Sequence, residues 1–193
     1  MMATDEKVVI FIDGSNFYHG LKSNHGKTTI DFEKLANKLS QGRKLIRTYY
    51  YNAPVNQSEE PTRYQSQQKF FSFLDRVPYL ETTLGRLVKR ERVNICSKCK
   101  HEDKIIFHNE KGIDVNIAAD MLIMAFKNLY ETAILISGDG DFDKAIKGVK
   151  DIGKHVENAY FNRGHSNQLM KICDKFIELN AEYLKDCWLT PLK

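Results

Sequence analysis

Short runs of apolar residues alternate along this chain with stretches of helical periodicity. Val8–Ile12 and Ala133–Ile136 are continuous apolar runs rich in β-branched side chains, bounded by Gly, Ser, Asn and Asp. Such runs predict strands buried on both faces. Lys44–Asn52, His155–Tyr160 and Phe176–Leu179 predict three more strands. Between them, Phe32, Leu35, Ala36 and Leu39 recur at helical spacing behind an Asp31 cap. Pro61 opens a long amphipathic helix, and Ser166 caps a short one. Ser23–Thr29 reads as a polar loop. Asp114–Tyr130 predicts a central helix with Val115, Ala118, Leu122 and Ala125 as its inward face. Strands and helices in alternation specify a mainly parallel sheet with helices on both faces, a three-layer α/β/α sandwich.

One region departs from this rhythm. Tyr79–Val93 alternates apolar and polar residues, and Lys104–His108 is a matching partner, so about 85–110 predicts an inserted β-hairpin. Its turn carries Cys96 and Cys99. The 193 residues suit a single domain over 1–193, and 42% hydrophobic with 28% charged residues is a globular composition. No apolar run is long enough for a membrane span, and the N-terminal residues lack the apolar segment of a secretory signal. A cytoplasmic setting with reduced thiols is the expectation.

The net charge of +4 is small, but its placement is informative. Between Gly85 and Lys111 lie eight basic and four acidic residues, so this segment carries an excess equal to that of the whole chain. Arg86, Lys89, Arg90, Arg92 and Lys111 are among them. Strand alternation puts Arg86, Arg90 and Arg92 on one face and Lys89 on the other.

The segment leads directly into Asp114. Asp13 ends the first strand, while Asp139 and Asp141 follow the Ala133–Ile136 strand. In open α/β sheets, ligands bind outside the carboxyl ends of the strands. The four aspartates are therefore expected on one rim. Gathered carboxylates raise one another's pKa unless a cation sits among them, and hard oxygen donors suit Mg²⁺ or Mn²⁺. The competing reading for each is a turn residue or helix cap. Asp120 lies about 240° around the helix from Asp114 and reads as structural. Lys111 is either a plain surface lysine or a ligand for a scissile phosphate. A basic surface beside an acidic site suits a polyanion.

Asp13 with Asn16, Lys111-Gly-Ile-Asp114 and Ser137-Gly-Asp-Gly-Asp-Phe142 together resemble the NYN domain family of the PIN-like nuclease superfamily, which includes the LabA-like proteins. The resemblance runs from Val8 to about Leu179. It implies a PIN-like fold and divalent-metal-dependent cleavage of RNA. Asp13, Asp114 and Asp139 match the family's metal-binding, catalytic carboxylates, Asp141 matches a fourth, and Asn16 and Ser137 match polar neighbours of the site. Single-stranded RNA is the implied substrate, with Arg86, Arg90 and Arg92 holding phosphates and Tyr18 or Tyr49–Tyr51 stacking on bases. The alternatives are a non-catalytic RNA-binding or regulatory module and a phosphatase acting on small phosphoesters. A second copy of the chain is a further candidate partner. Cys96-x-x-Cys99, with His101 and His108 nearby, has the spacing of half a structural Zn²⁺ site; the competing readings are a plain turn and a site shared between subunits. Cys173 and Cys187 sit in apolar contexts and read as core. His25 reads as exposed.

Overall fold

The computed structural model describes residues 4–95, 99 and 102–189. Its centre is β1 (Thr4–Asp13), a strand whose two faces serve two different cores. Val8, Ile10 and Ile12 point into one core, and Val9 and Phe11 into the other. This is the period of two expected of a strand covered on both sides. Around it lie β2 (Arg43–Asn52), β3 (Leu80–Leu84), β6 (Thr132–Ile136), β7 (His155–Tyr160) and β8 (Lys175–Glu178). The strand order is β3-β2-β1-β6-β7-β8. Every pairing in this sheet is parallel.

Helices cover both faces. The first face carries α1 (Gly14–His25), α2 (Phe32–Ser40), α3 (Pro61–Leu74) and α7 (Ala181–Leu184), which bury Phe17, Leu21, Leu35, Leu39, Leu74 and Leu184. The second carries α4 (Ile113–Phe126), α5 (Asp143–Asp151) and α6 (Leu169–Ile172), with Ile117, Met121, Ile146, Val149 and Leu169 inward. The expected three-layer α/β/α sandwich is thus observed. Strand order reverses between β1 and β6, and a crevice forms outside the carboxyl ends of strands at such a switch point. Among the described residues, no helix is long and apolar enough to cross a membrane.

Three local expectations need correction. α1 runs through Ser23 to His25 and ends at Gly26 in the left-handed region (φ 68°), so the polar loop starts later. His25 is not exposed: its Nε2 lies 2.9 Å from the Leu179 carbonyl, and its ring packs edge-on against Phe161 and Trp188. In α4 the buried row is Ile113, Ile117, Met121 and Ala125, while Val115 is 70% exposed. That helix is apolar nearly all round, so periodicity alone leaves its rotation about its axis undetermined.

The Tyr79–Val93 stretch divides at Gly85. Before it, β3 joins the main sheet; after it, β4 (Arg86–Ile95) pairs antiparallel with β5 (Glu102–Lys111) in a separate ribbon. The Gly85 N–H donates to the Asn52 carbonyl at 2.9 Å. A Cβ there would lie 2.6 Å from Ile113 Cδ1 and 2.9 Å from the Lys111 carbonyl oxygen, so the corner requires glycine. The ribbon's register is unbroken, with Arg86 opposite Lys111, Arg90 opposite Phe107 and Lys89 opposite His108. Directly opposed residues share a face. Arg86, Arg90, Arg92 and Lys111 therefore line one face, and Lys89, Glu91, Glu102 and Lys104 belong to the other.

Candidate metal centre

The site begins where β1 ends. Asp13 is the N-cap of α1, and its Oδ1 accepts the Asn16 N–H at 3.1 Å. Its Oδ2 accepts the Ser137 hydroxyl at 3.2 Å. Ser137 is the first residue past β6, so this bond ties the carboxyl ends of two adjacent strands. The Ser137 Oγ also accepts the Asp139 N–H at 3.1 Å, and Asp139 Oδ1 accepts the Asp141 N–H at 2.9 Å. Asn16 closes the circuit, accepting the Gly138 N–H at 3.0 Å. Two glycines permit the approach. A Cβ on Gly14 would stand 2.6 Å from the Tyr50 ring and the Tyr51 carbonyl oxygen, and one on Gly138 would stand 1.9 Å from the Gly164 carbonyl oxygen.

Asp114 enters from the other side, in the first turn of α4, after Gly112 at φ 90°. The cap position belongs to Gly112, so Asp114 is not spent on capping. With Asp13, it lines a cleft of about 520 Å³ whose walls include Asn16, His19, Asn52 and Arg163. Asp139 and Asp141 stand beside this cleft and are not part of its lining.

Asp13 is only 6% exposed. Burial pushes its carboxyl above the ordinary range. The Asn16 N–H and Ser137 hydroxyl pull it down, while the charges of Asp114 and Asp139 push it further up. Asp114 is also raised, first by burial and then by Asp139 and Asp141. No lysine or arginine among the described residues forms an ion pair with any of these four. Nor, among the described residues, do three His, Cys, Asp or Glu side chains close on one point as a metal-holding set. The chemistry of the donors nevertheless fits a divalent cation. A buried carboxylate with neutral partners and two like charges within reach is ionised easily only with positive charge beside it, and all the donors are hard oxygens.

Residues 7–180 match the NYN domain family. This chain belongs to that family. The NYN domain is of the PIN-like, nuclease type, which gives the acidic rim an RNA-related context. A curated relative, the low amplitude and bright protein LabA of Synechococcus elongatus, is 23% identical over 176 residues, 90% of this chain and 84% of that protein. A crystal structure of a protein of unknown function from Vibrio parahaemolyticus superposes with a TM-score of 0.66 at 20% identity, covering 98% of this chain and 99% of that one. That likeness concerns the fold.

Within this NYN domain, the remaining expected residues are placed as follows. Lys111 ends β5, one residue before the Gly112 cap. Arg86, Arg90 and Arg92 are exposed on the ribbon and do not line the cleft. Tyr50 and Tyr51 cannot stack on bases. They are 2% and 0% exposed, and the Tyr51 hydroxyl donates to Asp120 at 2.9 Å, which gives Asp120 its structural role. Tyr49 is stacked against Phe11, leaving Tyr18, 45% exposed, as the available ring. Cys96 and His101 lie outside the described residues; Cys99 is exposed and unbonded. Cys173 and Cys187 are core residues, and burial pushes the Cys173 thiol up to about 12.

One contributor escaped the sequence reading. Asn158, buried in β7, donates to the Leu135 and Ser137 carbonyls at 3.1 and 2.9 Å and so fixes the end of β6. A polar residue inside a central strand was the available signal. Arg163 also lines the cleft, where a loop conformation that no motif announces places it.

Proposed function

We propose that this NYN domain hydrolyses phosphodiester bonds of single-stranded RNA with the aid of Mg²⁺ or Mn²⁺. Asp13, Asp114 and Asp139 would hold the ion, with Asp141 at the margin. The observation that carries this reading is the state of Asp13: buried, raised first by that burial and then by its acidic neighbours, and given only neutral donors by the fold. Bound there, the ion would lower the pKa of an attacking water and offset charge on the scissile phosphate. The chain's own part is to hold the acids. Asn16 and Ser137 fix Asp13 and the Asp139 turn to one another, and Asn158 fixes the strand end beneath them. Arg86, Arg90, Arg92 and Lys111 form one basic face of the ribbon that leads into Asp114, which suits contacts to flanking phosphates. Tyr18 offers a stacking surface for a base.

The test is cleavage of end-labelled single-stranded RNA in EDTA, Mg²⁺ and Mn²⁺, with Asp13→Asn and Asp139→Asn as controls. Metal-dependent products bearing 5′-phosphates, lost in both variants, are expected. Wild-type rates in both variants with metal uptake unchanged would refute the metal-nuclease reading. Tight RNA binding without cleavage under any metal would favour a binding module.

A further inference from the structure

We infer that Arg163 forms a second anion subsite in the cleft, one that takes a non-scissile phosphate of the same nucleic-acid strand. The inference rests on the proposed function above and narrows its substrate class. Phe161–Gln168 links β7 to α6 and is pinned at three points. A Cβ on Gly20 of α1 would stand 2.1 Å from the Phe161 ring, so loop and helix touch there. The Asn24 side chain then holds the Arg163 main chain from both sides: its Oδ1 accepts the Arg163 N–H at 3.0 Å and its Nδ2 donates to the Arg163 carbonyl at 3.3 Å. Gly164, at φ 101°, presses its carbonyl against Gly138 in the turn that carries Asp139. The loop is thereby locked onto both α1 and the acidic turn.

These clamps act on the backbone and leave the guanidinium exposed. Its recorded contact is Nη1 to the Ser23 carbonyl at 3.3 Å, and among the described residues no carboxylate pairs with it. Arg163 is also the one lysine or arginine among the residues that line the cleft, whose acids are Asp13 and Asp114. Arginine presents a fork of donors matched to phosphate oxygens. A cleft with a cation-binding acidic wall and a separate guanidinium suits a ligand with two anionic groups set apart, as in a polynucleotide. A small phosphomonoester offers one such group.

The experiment measures affinity for a short single-stranded oligonucleotide in Ca²⁺, used to occupy the acids while limiting cleavage. One neutral methylphosphonate linkage, on a 2′-O-methyl sugar, is moved along the strand. Wild-type protein should lose about tenfold in affinity at one non-scissile linkage, as expected for one charge-assisted contact. Arg163→Gln should weaken the unmodified strand by a similar factor, lower the salt slope by roughly 0.7, and show no further loss at that linkage. Its thermal midpoint should match wild type, because the Asn24 clamp holds the main chain. Equal affinity of the variant and wild type, or losses that simply multiply, would overturn the subsite. Wild-type protein that binds but never cuts would remove the hydrolysis reading while the affinity scan still decides the subsite. A wild-type protein that binds no strand at all would overturn both.

Discussion

The two rims of the sheet treat charge in opposite ways. At the carboxyl-terminal rim, Asp13 accepts from a backbone N–H and a serine hydroxyl, and Asp114 and Asp139 stand near enough to raise it. At the amino-terminal rim, the acids have cations. Arg43 grips Glu157 with two bonds of 2.8 and 2.9 Å and reaches Glu6 at 3.3 Å, while Lys175 lies 3.6 Å from Glu157. Lys150 pairs with Asp174 at 2.7 Å and Lys7 with Glu131 at 3.5 Å. One rim neutralises itself with its own side chains, and the other concentrates negative charge that an outside cation would offset. Charge placement, more than fold, separates the structural end of this sheet from the end proposed to do chemistry.

The sharpest test sets one variant from each rim side by side. Asp13→Asn should lower RNA cleavage by at least about a thousandfold, the scale of losing a principal electrostatic element of a site. Its stability in metal-free buffer should hold or rise, since asparagine still caps α1 and like-charge repulsion is relieved. Arg43→Ala should do the reverse. It removes the bidentate partner of buried Glu157 and leaves only Lys175, 3.6 Å away, at a cost of up to about 3 kcal/mol, while cleavage per folded molecule persists. Denaturant unfolding alongside single-turnover assays reads both. Equal destabilisation in the two variants would erase the distinction between the rims.

The ribbon extends the comparison beyond the sheet. Replacing Arg86, Arg90 and Arg92 together with Ala should reduce the magnitude of the log–log salt slope of RNA affinity by roughly 2, at about 0.7 per single-strand phosphate contact. Lys89→Ala, on the opposite face, should do much less. The readout is a salt titration in Ca²⁺, and an unchanged slope would make the ribbon a purely structural insert.

Smallest, but opposite in sign, are the pH effects. Asp13 and Asp114 are raised, so between the ordinary Asp range and their folded values the folded state binds more protons than the unfolded one. Without metal, stability contributed there falls as pH rises through that window and stays reduced above it. At Asp174, burial works upward but is outweighed by the Lys150 ammonium and the Val156 N–H, and the carboxyl lies below its ordinary range. Its contribution is present above the ordinary Asp range and is lost as pH falls through the lowered value. Thermal midpoints against pH should show Asp13→Asn reducing the fall above the ordinary Asp range, with the share of Asp114 remaining, and Asp174→Asn removing the loss below that range. Mn²⁺ should flatten the first and leave the second.

Much of this was legible in the residues. Val8–Ile12 reads as a doubly buried strand because every side chain in it is apolar, and Asp13, Asp139 and Asp141 inherit their rim from the strands they follow. Asp114 was placed by the helix it opens. What could not be read depends on contacts between distant segments. The rotation of α4 is set by packing, and its apolar surface hides that choice. Tyr50 and Tyr51 look like a stacking platform until α2 and α3 cover one face of β2 and α4 covers the other. Gly85 divides a continuous alternating stretch because Ile113, far along the chain, leaves no room for a side chain. Arg163 reaches the cleft through the Asn24 clamp and the Phe161 and Gly164 contacts, which join residues that no local pattern connects.

The pairing of β1 with β6 also has a consequence in time. Val8 lies beside Thr132 and Ile12 beside Ile136, so β1 waits for a central neighbour that is synthesised much later. Such long-range closure comes late in folding. A nascent chain halted before β6 contains Asp13 and Asp114 but no Ser137, no Asp139 and no turn to hold them together. For a protein whose proposed substrate is RNA, the unfinished chain on its own messenger has no assembled acidic rim. The capacity to act would arrive only after β6 and the turn that follows it have emerged.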